Sequence, residues 1–440
     1  MRVVLTGITG LEKECIARAL AEEAARQRGL PTDLNDRHTR RYIQVLSVEE
    51  EIKNTIGDLR PFLDQIVARE RLRRWREAME RILRRVAESE HTVLCFHNVF
   101  YRRSNFFSCV DWDLLANYKP TVFVTLINDV YDVWQTINSR EEKLKTNSYL
   151  HLPEILAWRS AEISATQNLA ENLYVKAHRH GITPNQLQKL PPELASMSGI
   201  FGESIPHFVF AVKHPLGTLF QLLFRRDFLP CYASFPITKT RGDERGRAEI
   251  DQYRDVLRKS GFLTILDPLT IDEFRFVKLD KWVPGMSVLR DRWPMTVGLP
   301  MVNETPLTNN PFSGYEKVQL ESFMTSVIRH LEARDYQLVS QATALVAYRP
   351  FYGGPTGTHS PPSEKPSGGV DKELMYALNE SKLIYAVHPD EDRTPDSQVF
   401  SSIDFAVAHR SIEELLKELE TAQRRWAERL SEHGELNTWE

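Results

Sequence analysis

The chain has 440 residues, of which 42% are hydrophobic and 26% charged, with a formal net charge of −4. That balance suits a protein with sizeable buried cores and supplies no global positive field for nucleic acid, while length alone suggests two to three domains of ~100–200 residues. No apolar run reaches the ~18 residues of a membrane helix, and the cysteines Cys15, Cys95, Cys109 and Cys231 form no CxxC pair, which argues against a zinc finger or a disulfide scaffold.

The segment Met1-Arg2-Val3-Val4-Leu5-Thr6 reads as a first strand and not as a signal peptide, so a reduced, cytoplasmic setting is expected. A helix is predicted from about Leu11 to Arg28. Further strands are predicted at Tyr42–Leu46, Thr92–Phe96, Thr121–Leu126 and Phe208–Val212. Between them, Leu72, Trp75, Met79, Ile82, Leu83 and Val86 recur at helical spacing opposite a face rich in arginine, which reads as a crossover helix with a solvated charged side. Short apolar runs separated by helices predict a doubly wound α/β domain over residues 1–225, with a parallel sheet covered on both faces. A second α/β pattern occupies 226–440. Its predicted elements are strands at Cys231–Phe235, Phe262–Leu266, Ala344–Tyr348 and Leu383–Val387, and helices at about Arg245–Ser260, Tyr315–Glu332 and Ile412–Leu430. The stretch between Asp267 and Tyr315 exceeds a plain connection and is expected to form a lid or an interface.

Directly after the first strand stands Gly7-Ile8-Thr9-Gly10-Leu11-Glu12-Lys13-Glu14-Cys15. A phosphate-binding loop needs glycines so that backbone N–H groups can turn inward, a lysine for the outer phosphates, and a hydroxyl for the metal. Gly7, Gly10 and Lys13 have the spacing of that loop in adenylate-kinase-like proteins, and the first domain resembles the nucleoside-monophosphate kinase group of P-loop proteins. The resemblance implies a kinase-like parallel sheet and a nucleotide, ATP or another with Mg, bound by Gly7, Gly10 and Lys13. Arg140 and Arg159 are then the candidates for neutralising the transferred phosphate. Glu12 stands in place of a glycine and Cys15 in place of the metal-binding hydroxyl, which points to binding without turnover.

The second half carries three segments in order. They are Tyr232-Ala233-Ser234-Phe235-Pro236, then Asp335-Tyr336-Gln337-Leu338-Val339, then Ser367-Gly368-Gly369-Val370-Asp371-Lys372-Glu373-Leu374. Each is expected at a strand end. From about Phe228 to Pro389 the chain resembles the nucleoside 2-deoxyribosyltransferase superfamily, and the third segment is similar to its 2'-deoxynucleoside 5'-phosphate N-hydrolase branch. The resemblance implies a flavodoxin-like doubly wound sheet and an N-glycosidase that needs no cofactor and no metal. Breaking an N-glycosidic bond develops positive charge at the anomeric carbon and negative charge on the base, so a carboxylate beneath the sugar stabilises or attacks the cation. Glu373 takes that position by resemblance. Asp335 matches the carboxyl that protonates the base, Tyr232 the tyrosine that orients the nucleophile, and Ser367, Gly368 and Gly369 the 5'-phosphate site. Arg241, Arg245 and Arg247 are further candidate phosphate contacts. Phe235 and Pro236 stand where the family has glycine and a small residue, and Thr343 replaces an aspartate.

The expected function is therefore a nucleotide or nucleoside N-glycosidase joined to a nucleotide-binding domain, assembled as a homodimer or higher homo-oligomer. Cleavage of NAD at its nicotinamide ribosyl bond is the nearest alternative. A non-catalytic nucleotide sensor or scaffold, and a small-molecule or nucleotide kinase, are the alternatives from other classes. No membrane or nucleic-acid partner is expected.

Overall fold

A computed structural model of the chain describes residues 1–64, 66–102, 104–143, 150–178, 205–237, 244–271, 273, 317–348, 368–387, 407–409 and 411–432. Two compact units emerge. The first is Met1–Phe220 with Glu273–Leu289 and Thr296–Ile328; the second is Gln221–Asp272 with Arg290–Met295 and Arg329–Glu440.

The first unit is built on β1 (Arg2–Thr6), β2 (Ile43–Ser47), β3 (His91–Cys95), β6 (Val122–Ile127) and β7 (His207–Ala211), in the order β2-β3-β1-β6-β7. Every pairing is parallel. Central strands must be apolar on both sides when helices cover both faces, and Val3, Val4, Leu5, Phe123 and Val124 are accordingly buried. Two three-residue strands, β4 (Phe100–Arg102) and β5 (Asn105–Phe107), make a separate antiparallel hairpin that the apolar pattern does not announce. The arginine-rich helix runs Ala68–Val86 and buries Trp75, Ala78, Met79, Ile82 and Val86. Its arginines are occupied on the outside: Arg73 pairs with Glu70 and Glu77, and Arg81 and Arg85 pair with Glu51.

The second unit holds β8 (Leu229–Ser234), β9 (Leu263–Leu266), β10 (Ala344–Tyr348), β11 (Leu383–Val387) and β12 (Val407–His409), a three-residue strand absent from the sequence reading. All pairings are parallel, and the order is β9-β8-β10-β11-β12. Numbered within the unit this is 2-1-3-4-5, so the connections leave β8 and β10 in opposite directions. The carboxyl ends of that pair form the topological switch point, where doubly wound sheets bind ligands. The helix after β10's connection, Gly368–Asn379, turns Val370, Leu374 and Ala377 inward together with Glu373. Three of these four are core-forming at i, i+4 and i+7, and the fourth is a carboxylic acid.

One prediction about local structure needs correction. The helix expected to stop at Glu332 continues from Lys317 to Gln341, so Asp335 lies inside a helix and not at a strand end. Leu331, Leu338, Val339 and Ala342 are buried and keep helical spacing past Glu332, which is why the helix does not break there.

Candidate active site

In the second unit, β8 presents Tyr232 and Ser234 on one face, because side chains two apart along a strand share a side. Both are fully buried. The Tyr232 hydroxyl donates to Glu373 Oε1 at 3.0 Å, and the Ser234 hydroxyl donates to Glu373 Oε2 at 2.5 Å. Glu373 is only 9% exposed. Burial, and after it the negative charge of Asp335, push its carboxyl up to about 8, against the pull of the two hydroxyls and Arg334. Burial, with the Glu373 charge second, holds the Tyr232 phenol well above its ordinary range. Tyr232 therefore acts as a hydrogen-bond donor and not as a phenolate.

Asp335 reaches this group by its charge and is itself held by Arg334. The Arg334 guanidinium donates twice to Asp335 Oδ1, at 2.6 and 3.0 Å, and once to the Ile271 carbonyl at 2.7 Å. Tyr336 next to it stacks on Tyr376 with ring centroids 4.5 Å apart, which fixes the helix carrying Asp335 against the helix carrying Glu373. Gly368 and Gly369 are exposed at the start of the Glu373 helix. Ser367 and Arg241 lie outside the described residues, as does Arg245 beyond its place in the helix Glu244–Lys259.

The first unit has its own site at the carboxyl ends of β1 and β3. Gly7 and Gly10 adopt positive φ angles of 145° and 93°, and Glu12, at φ 52°, turns the chain into the helix Lys13–Gln27 without a side-chain cap. A Cβ on Gly7 would stand 2.9 Å from the Leu126 carbonyl oxygen. Glycine is required there by φ and by space alike. Lys13 is buried and donates to the Gly7 carbonyl at 2.9 Å, with its ammonium 2.9 Å from His97 Nε2. His97 Nδ1 lies 3.0 Å from Glu49 Oε1, which also accepts the His97 backbone N–H at 2.7 Å. Burial opposes ionisation of Glu49, but the His97 hydrogen bond and the charges of His97 and Lys13 outweigh it and hold the carboxyl below its ordinary value. Glu49 Oε2 has no hydrogen-bond partner among the described residues. Lys13, Glu49 and His97 line a cavity of about 700 Å³, together with Tyr101 and Trp158, a volume in the range of small-molecule sites.

Arg159 does not join this cluster. Arg159 is buried in a bidentate pair with Glu273, at 2.6 and 3.0 Å, and donates to the Asn128 carbonyl, so its guanidinium is committed to the fold. Arg140 lies in the helix Val130–Lys143, but its side chain is outside the described residues. Cys15 stands where the phosphate-loop resemblance expects a metal-binding hydroxyl, and a soft thiol does not fit magnesium, which prefers hard oxygen. The buried Glu162 closes the loop from beneath, accepting backbone N–H groups of Gly7, Asn98 and Val99 at 3.0, 2.9 and 2.6 Å. His97, Glu49, Glu162 and Ser234 were not singled out by sequence reasoning. Ser234 lies inside the first of the three segments, two residues from Tyr232 and so on the same strand face.

No protein-family model matches the chain, and no curated protein matches it either.

Proposed function

We propose that the second unit cleaves the N-glycosidic bond of a nucleoside or nucleotide through Glu373. One observation carries this reading: a nearly buried glutamate at the switch point of a doubly wound sheet has each oxygen held by a buried hydroxyl. Burying a carboxyl there is costly, and a structural role would be met more cheaply by an apolar residue. An anionic oxygen among buried groups suits a developing oxocarbenium centre, since the low dielectric strengthens the attraction. The 2-1-3-4-5 strand order is the flavodoxin-type order that a deoxyribosyltransferase-like domain implies.

Within this reading Glu373 attacks or stabilises the anomeric carbon and Tyr232 orients it. Asp335, paired with Arg334, serves the base side. The exposed backbone of Gly368 and Gly369, at a helix start, offers N–H groups to a 5'-phosphate. The first unit takes a nucleotide in the cavity beside Lys13, held by the uncapped start of its helix, and no step of catalysis runs through it. Tyr101 and Trp158 add aromatic surface to the lining of that cavity.

The test is to incubate the protein with nucleosides, nucleoside monophosphates and NAD and to look for released base by chromatography. The reading expects free base, with the monophosphate preferred over the nucleoside. No base from any substrate removes it in favour of a nucleotide-binding, non-catalytic protein.

A further inference from the structure

Ser234 adds a second hold on Glu373 that the tyrosine alone does not give. Its hydroxyl stands 2.5 Å from Oε2 and is fully buried, with the acid as its hydrogen-bond partner. Among the described residues, the charged and titratable groups around Glu373 come from three elements. From β8 come Tyr232 and the Ser234 hydroxyl. From the helix Lys317–Gln341 come Asp335, Arg334 and Tyr336, and from Glu244–Lys259 comes Tyr253. Asp335 opposes ionisation of Glu373. Arg334 favours it from a distance, while its N–H groups are spent on Asp335 and on Ile271. Among the described residues, these two hydroxyls hydrogen-bond the carboxylate.

We propose that Ser234 is a positioning residue that holds the Glu373 carboxylate in its ionised form and fixes its plane for attack on the sugar. The consequence for turnover rests on the glycosidase reading, whereas the consequence for the ionisation of Glu373 rests on the hydrogen bond alone. In the first half of the reaction the C1'–N bond breaks, its electron pair leaves on the base, and a Glu373 oxygen bonds to C1'. In the second half a water oxygen bonds to C1' and the ester electron pair returns to Glu373. The proton that water gives up balances the base anion. Charge leaves the carboxylate and then comes back to it. A donor on Oε2 is strongest when that charge is present, so Ser234 favours both the starting ion and the return step, and with it release of the sugar.

The experiment compares wild type, Ser234→Ala, Ser234→Thr and Glu373→Gln in two ways. Melting is followed from pH 5 to 10, each Ser234 variant being read against its own double variant with Glu373→Gln so that other titrating groups cancel. The wild-type loss of stability should centre near pH 8. In Ser234→Ala it should move up by about one to two pH units, the ten- to hundred-fold worth of a hydrogen bond to a charged group. Ser234→Thr, which keeps the hydroxyl, should stay close to wild type. The second readout is the ascending limb of kcat/KM for base release, which should move with the first. An unmoved midpoint in Ser234→Ala overturns the proposal. A midpoint that moves while wild type releases no base upholds Ser234 as the holder of Glu373 and removes the glycosidase reading instead.

Discussion

Replacing Glu373 with glutamine should make the protein more resistant to alkaline pH, and the size of the effect follows from where the residue sits. The ordinary carboxyl value is 4.5, and in the folded protein burial and the Asp335 charge raise it to about 8. A group whose folded value is raised binds its proton more tightly in the folded state. Its stabilising contribution is complete below pH 4.5 and is lost as pH climbs through 8. From 4.5 to about 8 the loss sums to roughly 5 kcal/mol at ~1.4 kcal/mol per tenfold change, an upper bound that local relaxation reduces. Glutamine has no proton to lose and escapes the penalty, while keeping the shape that Tyr232 and Ser234 pack against. At ~2–4 °C per kcal/mol for a unit of this size, the melting temperatures of wild type and Glu373→Gln should diverge by about 10 °C between pH 5 and pH 9. The assay is calorimetry or urea unfolding of both proteins across that range. The carboxylates that titrate below pH 5 cancel in the difference. Parallel curves would refute the reasoning, because they would mean that Glu373 is ionised at no cost and that its site is not dry.

Four further outcomes are expected. Tyr232→Phe should keep the fold and lower base release by about ten- to a hundred-fold, measured as kcat at fixed pH. Asp335→Asn should slow substrates with poor leaving groups most and shift the ascending limb of the pH profile downward, since the charge opposing ionisation of Glu373 disappears; a uniform loss across substrates would contradict its place on the base side. In the first unit, Lys13→Met should weaken ATP binding at least tenfold by calorimetry. Gly7→Ala should lower that unit's melting point by an amount worth about 2 kcal/mol or more, since its Cβ would press on the Leu126 carbonyl at 2.9 Å.

Sequence and structure meet most closely where one residue's neighbours along the chain determine its surroundings. β1, β3, β6 and β10 are legible because a strand covered on both faces must be continuously apolar. The facing of Val370, Leu374 and Ala377 is legible from helical spacing, and Glu373 comes with them. The unread parts depend on distant partners. Arg159 looks like a free arginine until Glu273, 114 residues away, takes both its terminal Nη groups. His97 is two residues beyond β3 and gains its meaning from Glu49 and Lys13, 48 and 84 residues earlier. Glu162 lies mid-helix and binds three backbone N–H groups that belong to two loops. The motif of Asp335 precedes a strand, which predicts a strand end for it, whereas the apolar positions around it prolong a helix. The hairpin of β4 and β5 and the short β12 have three residues each, too few for a period of two to register.

The most direct measurement of the central claim is base release by wild type and by Glu373→Gln, side by side, on a nucleoside monophosphate at pH 8, with the fold of both verified by melting. The account predicts free base from wild type and a loss of several orders of magnitude in the glutamine variant, because the charge that faces the anomeric carbon is gone. Equal base release from the two folded proteins would contradict it.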